Sequence, residues 1–127
     1  MLCEARRRLA APWVCGDLRA LPFADGCFDG VWACASLLHL PRGGMPRALA
    51  ELRRVLRAGV LYLSVKEGEG ERWVMEGSEH RRYFVYYQMP ELRDLCRGAS
   101  FEISEVWTEA DRADRAETWL NVIARAI

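Results

Sequence analysis

Short apolar runs and one amphipathic segment define the first half of the chain. Trp13–Cys15 and Val60–Val65 are compact apolar runs that predict brief buried strands. Phe28–Ala35 is longer, and its continuous apolar character is typical of a parallel strand buried on both faces. Between the last two runs, apolar residues recur at helical spacing over 45–56, and Gly59 is expected to stop that helix. The order strand, helix, strand predicts a right-handed crossover in a parallel α/β sheet.

The second half of the chain predicts one more helix and two further strands. Pro90–Ala99 has the pattern of a helix, whereas Ser100–Thr108 alternates and predicts a strand. Trp119–Ala126 predicts the last strand, and the charged stretch 109–117 before it predicts a loop. Tyr83–Tyr87 is either a short aromatic strand or support for a loop.

The polar stretch Lys66–Arg82 separates the two halves. It has too little apolar content for a core element, and the closely spaced glycines within Lys66–Glu71 predict a flexible connection there. It is not expected to bind phosphate, because it lacks the G-K-[ST] ending and its glutamates would repel an anion.

Length and charge exclude several classes of protein. The 127 residues predict one domain, 1–127, and 18 basic residues balance 18 acidic ones. Zero net charge argues against a nucleic-acid binder and against polybasic membrane attachment. No run approaches the ~18 apolar residues of a membrane span. The N-terminus also lacks the apolar core of a secretory signal. We therefore expect a soluble, cytoplasmic protein.

The cysteines fit a reducing compartment. Five cysteines form no C-x-x-C pair, which predicts free, buried and inert thiols. A zinc site built from Cys15, Cys27, Cys34 and His39 would match no common ligand spacing, so no metal is expected.

Two side chains stand where ligands bind in open parallel sheets, after a predicted strand. Asp17 follows Trp13–Cys15, and turn residue and ligand acceptor are equally good interpretations of it. His39 follows Phe28–Ala35, and a structural histidine is the preferred interpretation. Neither histidine of the chain has a nucleophile at motif spacing.

Four motifs together resemble a known family. They are GD at 16–17, LPFADGCFDGV at 21–31, LH at 38–39 and ALAELRRVL at 48–56. This pattern resembles class I S-adenosylmethionine-dependent methyltransferases, most closely the type 11 methyltransferase domain. The resemblance implies an α/β, Rossmann-like sheet that is mostly parallel with an antiparallel last strand. It aligns this chain with the C-terminal portion of that domain, N-terminally truncated, with the first two strands absent.

The resemblance also implies site residues. Asp17 would accept from the adenine amino group of S-adenosylmethionine, and the backbone N–H of Leu18 would face the adenine ring. Ala33, Cys34 and Ser36 would line the methionine end of the cofactor. His39 would support the pocket or approach the acceptor. No catalytic residue is assigned, since such enzymes act mostly by aligning the acceptor with an already activated methyl group.

One motif of the family is missing from the sequence. No G-x-G-x-G occurs in it, nor the acid that binds the ribose in the family. We therefore expect a methyltransferase of an unidentified small-molecule acceptor in which cofactor binding by this chain alone is weak or lost. The alternative is a non-catalytic, methyltransferase-like interaction module. Without the first two strands, the exposed edge of Phe28–Ala35 would invite homo-oligomers.

Overall fold

The structure is a computed structural model that describes residues 15–127. Six strands and two helices follow each other as β1 (Phe28–Cys34), α1 (Met45–Val55), β2 (Leu56–Glu67), β3 (Glu71–Glu76), β4 (His80–Tyr87), α2 (Met89–Gly98), β5 (Phe101–Ala110) and β6 (Thr118–Ala126). Two 3-10 turns, Leu37–His39 and Arg42–Gly44, connect β1 to α1. Of the strand predicted at Trp13–Cys15, the first two residues lie outside the described range, and Cys15 is not in a strand.

All six strands form one sheet, which confirms the predicted fold class. The hydrogen-bonded order is β3-β4-β2-β6-β5, and β1 pairs with β2. The β1–β2 pair is parallel and is joined through α1, whereas β6 lies antiparallel between β2 and β5. Four strands, β1, β2, β4 and β5, consequently run in the same direction, and β3 and β6 run against them.

One face of the sheet carries the core. On β2, Leu61, Leu63 and Val65 are fully buried, and alternate residues of β6 lie opposite them. The amphipathic pattern of α1 predicted the helix, and its apolar side joins these strands in one cluster together with Leu92 and Cys96 of α2. Both helices have proline in the first turn, where no intrahelical N–H partner is lost.

An arginine of α1 attaches the segment that precedes β1. Arg54 donates to the carbonyl oxygens of Leu21 and Phe23, at 3.0 and 2.7 Å, and to Asp25 at 2.8 Å. It also pairs with Glu51 at 2.9 Å, and Glu51 accepts the backbone N–H of Leu21. This clamp satisfies backbone groups that would otherwise lack partners against α1.

Gly59 does not stop the helix as predicted. The helix ends at Val55, and β2 begins at once at Leu56 and continues through Gly59. A Cβ atom at Gly59 would lie 2.1 Å from the carbonyl oxygen of Asp29. The glycine is needed because β1 approaches β2 closely at an irregularity in their register between Phe28 and Gly30.

The stretch Lys66–Arg82 contains strands despite its low apolar content, and the connection expected over Lys66–Glu71 is confined to the bend at 68–70. β2 extends to Glu67, and β3 and β4 form an antiparallel hairpin. Arginine side chains lie over aromatic rings, Arg81 over Trp73 at 4.9 Å and Arg72 over Tyr86 at 4.2 Å. Cation–π contacts of this kind let polar residues stabilise a strand pair without an apolar run.

The remaining elements are present with shifted boundaries, but β1 is exposed on one face and not buried on both as predicted. Tyr83–Tyr87 belongs to a strand, β4, and the predicted last helix and last two strands are present as α2, β5 and β6. The loop expected over 109–117 is shorter, because β5 continues to Ala110.

The second face of the sheet is open and aromatic. Trp32 is 75% exposed, and its ring lies 4.3 Å from that of Tyr62. Tyr62 in turn stacks on Trp107 at 6.1 Å, so an aromatic stripe crosses the sheet from β1 to β5. Within residues 15–127, β1 pairs with β2 alone, so its other edge is free.

Candidate functional site

A cavity of about 380 Å³ lies on the open face. It lies beside the carboxyl end of β1, the place in an open α/β sheet where ligands bind. Its walls are Cys34 at the end of β1 and Ala35 after it, Tyr62 and Ser64 of β2, Trp119 and Asn121 of β6, and residues 109–113 at the end of β5 and in the turn that follows.

Ser64 fixes the chain where it leaves β1. Its side chain is buried, and its Oγ accepts the backbone N–H of Ala35 at 3.0 Å. The same hydroxyl donates to the Cys34 Sγ at 3.7 Å. Ala35 has a positive φ of 51°, an uncommon conformation outside glycine. The hydrogen bond to Ser64 thus holds a turned backbone at the cavity wall.

The predicted cofactor residues near β1 divide between the two faces of the sheet. Cys34 is exposed on the open face and lines the cavity. Ala33 is buried in the core cluster on the other face, as strand alternation requires. Ser36 follows the turned residue and precedes the 3-10 turn. The cavity therefore includes Cys34 but neither Ala33 nor Ser36.

Asp17 and Leu18 lie in a separate turn. The Asp17 carboxylate accepts the Arg19 backbone N–H at 2.8 Å and both Nε and Nη2 of the same residue. The Arg19 guanidinium and backbone N–H lower the pKa of Asp17 to about 2. Leu18 packs against the core, and Arg47 of α1 donates to the Arg19 carbonyl at 3.1 Å. Neither Asp17 nor Leu18 lines the cavity.

His39 connects the turn after β1 to the hairpin. Its Nδ1 hydrogen-bonds to the Tyr83 carbonyl oxygen at 2.8 Å, and its Nε2 lies 2.6 Å from Arg82 Nη2. Its ring meets Phe84 edge-on at 4.8 Å. These contacts agree with the preferred structural interpretation, and His39 is not among the cavity residues.

Sequence reasoning missed the residues that make the polar wall. The Tyr62 hydroxyl donates to Asn121 Oδ1 at 2.6 Å, and Asn121 Nδ2 donates to Glu109 Oε1 at 3.2 Å. Asn121 is 1% exposed. The one available signal was an asparagine in the otherwise apolar stretch WLNVI, because a buried amide must find partners.

Asp111 closes the turn beside this wall. Its Oδ2 accepts the Trp119 indole N–H at 2.7 Å, and its Oδ1 accepts the backbone N–H groups of Ala113 and Asp114. The hydrogen bond from Trp119 and the two from the backbone lower the pKa of Asp111. Asp111 is therefore ionised at neutral pH and fixes the indole ring against the cavity.

The cysteines correct one expectation. Cys15, Cys27 and Cys34 are free but exposed, not buried. Cys96 is buried in α2, and burial raises the pKa of its thiol to about 11. Over residues 15–127, no three His, Cys, Asp or Glu side chains are grouped so that they could hold a metal ion. No helix in this range is long and apolar enough to cross a membrane.

A comparison with known protein families gives a match in the part of the chain that carries the motifs. A family model described as a methyltransferase domain matches residues 1–63. The chain belongs to the class I S-adenosylmethionine-dependent methyltransferase family.

Relatives and a solved structure extend this result. The chain is 34% identical to 24-methylenesterol C-methyltransferase 2 of Arabidopsis thaliana over 84% of its own length and 31% of that protein. It is 37% identical to malonyl-[acyl-carrier protein] O-methyltransferase of Herminiimonas arsenicoxydans, over 84% and 40%. A S-adenosylmethionine-dependent methyltransferase structure from Methanosarcina mazei shares the fold, with a TM-score of 0.77 and 20% identity over 88% of this chain and 65% of that one. The chain thus spans less than half the length of these two curated relatives.

Proposed function

We propose that this chain is the C-terminal part of a methyltransferase that transfers the methyl group of S-adenosylmethionine to a small molecule. The observation that carries the proposal is the cavity beside the carboxyl end of β1, between Cys34 and the β5–β6 turn. A volume of about 380 Å³ suits a small acceptor. The balanced charge of the chain supports a small molecule over a nucleic acid, and the free thiols support a cytoplasmic location.

Two separate turns that precede α1 in the chain would hold the cofactor. Cys34 and the backbone of the turn from Ala33 to Ser36 would face its methionine end, whereas the Ala33 side chain lies in the core. Asp17 and Leu18 would face the adenine; the Asp17 carboxylate is ionised and half exposed, so it can accept a further N–H beside Arg19. When bound, S-adenosylmethionine supplies a methyl group activated on a sulfonium. The protein contributes position, because orientation alone can provide much of the rate enhancement.

Cofactor binding by the 127 residues alone should be weak or lost. The sequence contains no G-x-G-x-G, and without it few backbone N–H groups remain to cradle the cofactor. Isothermal titration of the purified chain with S-adenosylmethionine is expected to show no micromolar binding. At millimolar cofactor, NMR amide shifts should change at residues 33–36 and not at Arg93 on α2. Micromolar affinity would contradict the weak-binding proposal, and shifts absent from residues 33–36 would contradict the assignment of the site.

A specific observation also favours the second candidate, an interaction module. The free edge of β1 adjoins the exposed Trp32 and carries one charged residue, Asp29, in seven. Such an edge pairs readily with another strand. We propose that two copies of this chain associate through β1, which would extend one sheet across both.

Sedimentation velocity tests this association. We expect a concentration-dependent dimer. Trp32→Lys should abolish it, because pairing through β1 would place the added charge beside the interface between the two copies. The matched control is Trp73→Lys, which changes another exposed tryptophan, on the hairpin. A wild-type chain that stays monomeric, or a dimer that survives Trp32→Lys, would contradict pairing through β1.

A further inference from the structure

Three side-chain donors of the cavity wall are directed at other wall residues. The Tyr62 hydroxyl donates to Asn121, the Asn121 amide to Glu109, and the Trp119 indole to Asp111. Asn121 is almost completely buried and has both ends of its amide engaged, so its orientation is fixed by its neighbours. The Tyr62 hydroxyl and the Trp119 indole N–H are therefore engaged, and of these three side chains only Asn121 keeps a second amide N–H.

One acceptor of the same wall is available, a carboxylate oxygen of Glu109. Glu109 Oε1 receives the Asn121 amide, while Oε2 has no hydrogen bond within residues 15–127. Both carboxylate oxygens of Asp111 accept hydrogen bonds from the protein. Asp111 still adds a second negative charge to the wall that contains Glu109. The lining also contains Arg112, which is exposed at the surface of the turn.

Aromatic rings complete the cavity. Tyr62 and Trp119 lie on adjacent regions of the sheet, and both are partly buried. Flat rings bind well against such side chains, and a cation gains further from their π faces. Lys66 already uses the Trp119 ring in this way, with its Nζ 5.3 Å from the ring centre.

We propose that this cavity binds a flat, nitrogen-bearing molecule whose protonated amine or N–H group donates to Glu109. This proposal rests on the proposed function, in which the same cavity receives the methyl acceptor. A carboxylate ligand would meet the like charges of Glu109 and Asp111, which disfavour it. A pure hydrocarbon would cover Glu109 without replacing the hydrogen bonds that the carboxylate makes to water.

Two indole compounds of opposite charge test the proposal. Tryptamine is a cation at pH 7, and indole-3-acetate is an anion of similar size and shape. NMR titrations of the purified chain are expected to give tryptamine at least about tenfold tighter binding, since a charge-assisted hydrogen bond is gained and a like-charge contact avoided. The signals that shift should include the Asn121 side-chain amide and the Trp119 indole N–H.

Two variants test whether Glu109 of the cavity wall causes the preference for tryptamine. Glu109→Gln should reduce the preference for tryptamine to less than about threefold, because the amide loses the charge but keeps the shape. The matched control Glu102→Gln removes an exposed carboxylate from the start of the same strand, outside the cavity, and should leave the preference unchanged.

The outcomes separate this inference from the proposed function. Equal binding of both compounds, tighter binding of indole-3-acetate, or a preference that survives Glu109→Gln would overturn the inference. No binding of tryptamine at millimolar concentration would overturn it as well. The titrations contain no cofactor, so the methyltransferase proposal is judged separately by the S-adenosylmethionine experiments.

Discussion

The two faces of the sheet differ more than any other two regions of the protein. One face places Leu61, Leu63 and Val65 of β2 under α1 and α2, where they have no exposed surface. The other face, on the same strand, presents Tyr62 and the buried Ser64 to an open aromatic stripe and a cavity. Side chains that alternate along one strand thus face the packed core on one side and the cavity on the other.

This difference shows where tolerance to change lies. Residues on the covered face have no space to move, so a lost methyl group leaves a cavity. Residues on the open face touch few neighbours, and their loss is expected to alter binding before it alters folding. Substitutions and titrations that act on one face at a time can test this division.

The largest effect on stability is expected from the covered face. Leu63→Ala should lower the free energy of unfolding by about 3 kcal/mol, because a fully buried leucine is replaced by a void. Trp32→Ser on the open face should cost about 1 kcal/mol or less, mainly through its contact with Tyr62. Urea denaturation measures both. Equal losses would show that the two faces do not differ in stability as the structure implies.

A smaller effect is expected where β1 and β2 come together at the edge of the core. Gly59→Ala would place a Cβ atom against the Asp29 carbonyl, and relieving the clash should cost about 1–3 kcal/mol. Gly98→Ala is the matched control, because nothing lies within 4 Å of a Cβ atom there. Thermal denaturation compares them. A stable Gly59→Ala chain would mean that the β1–β2 contact is not tight.

The clamp on the helix side should make stability depend on acid pH. The hydrogen bond from Arg54 and the Leu21 N–H lower the pKa of Glu51 from 4.5 to about 2. The unfolded chain therefore binds more protons between these values, so stability falls as pH drops from 4.5 towards 2. Glu51→Gln should flatten this part of the curve, whereas Glu102→Gln should leave it unchanged. A curve for Glu51→Gln as steep as the original would show that the clamp contributes nothing.

Thiol labelling compares the two faces without any amino-acid substitution. Cys34 on the open face should react with iodoacetamide at an ordinary rate. Cys96 faces the core, and its raised pKa of about 11 leaves roughly 100-fold less thiolate in addition to the steric protection. Mass spectrometry of digested peptides reads both rates. Rapid labelling of Cys96 without denaturant would mean that α2 opens readily.

Much of the fold could be predicted from local patterns. Two apolar runs predict β1 and β2, and the helical spacing over 45–56 predicts the helix between them. Together they predict the crossover that the structure contains. The β3–β4 hairpin was missed because arginine–aromatic pairs stabilise its strands. Arg81 pairs with Trp73 and Arg72 with Tyr86, and no local apolar pattern reveals such contacts. Gly59 was misassigned because a glycine after a helix usually ends it, and the approach of Asp29 is a contact at a distance in sequence.

The sequence by itself determined the family, the parallel β1–α1–β2 crossover, the antiparallel last strand and the position of Cys34 at the end of β1. The crossover and the place of Cys34 follow from apolar runs and periodicity, which are properties of neighbouring residues, and the antiparallel last strand is implied by the family resemblance of the short motifs. Only the tertiary structure decided that Ala33 turns into the core, that His39 supports the hairpin, and that Asn121 joins Tyr62 to Glu109. Those contacts link strands up to 59 residues apart, and only the folded sheet brings them within hydrogen-bond distance.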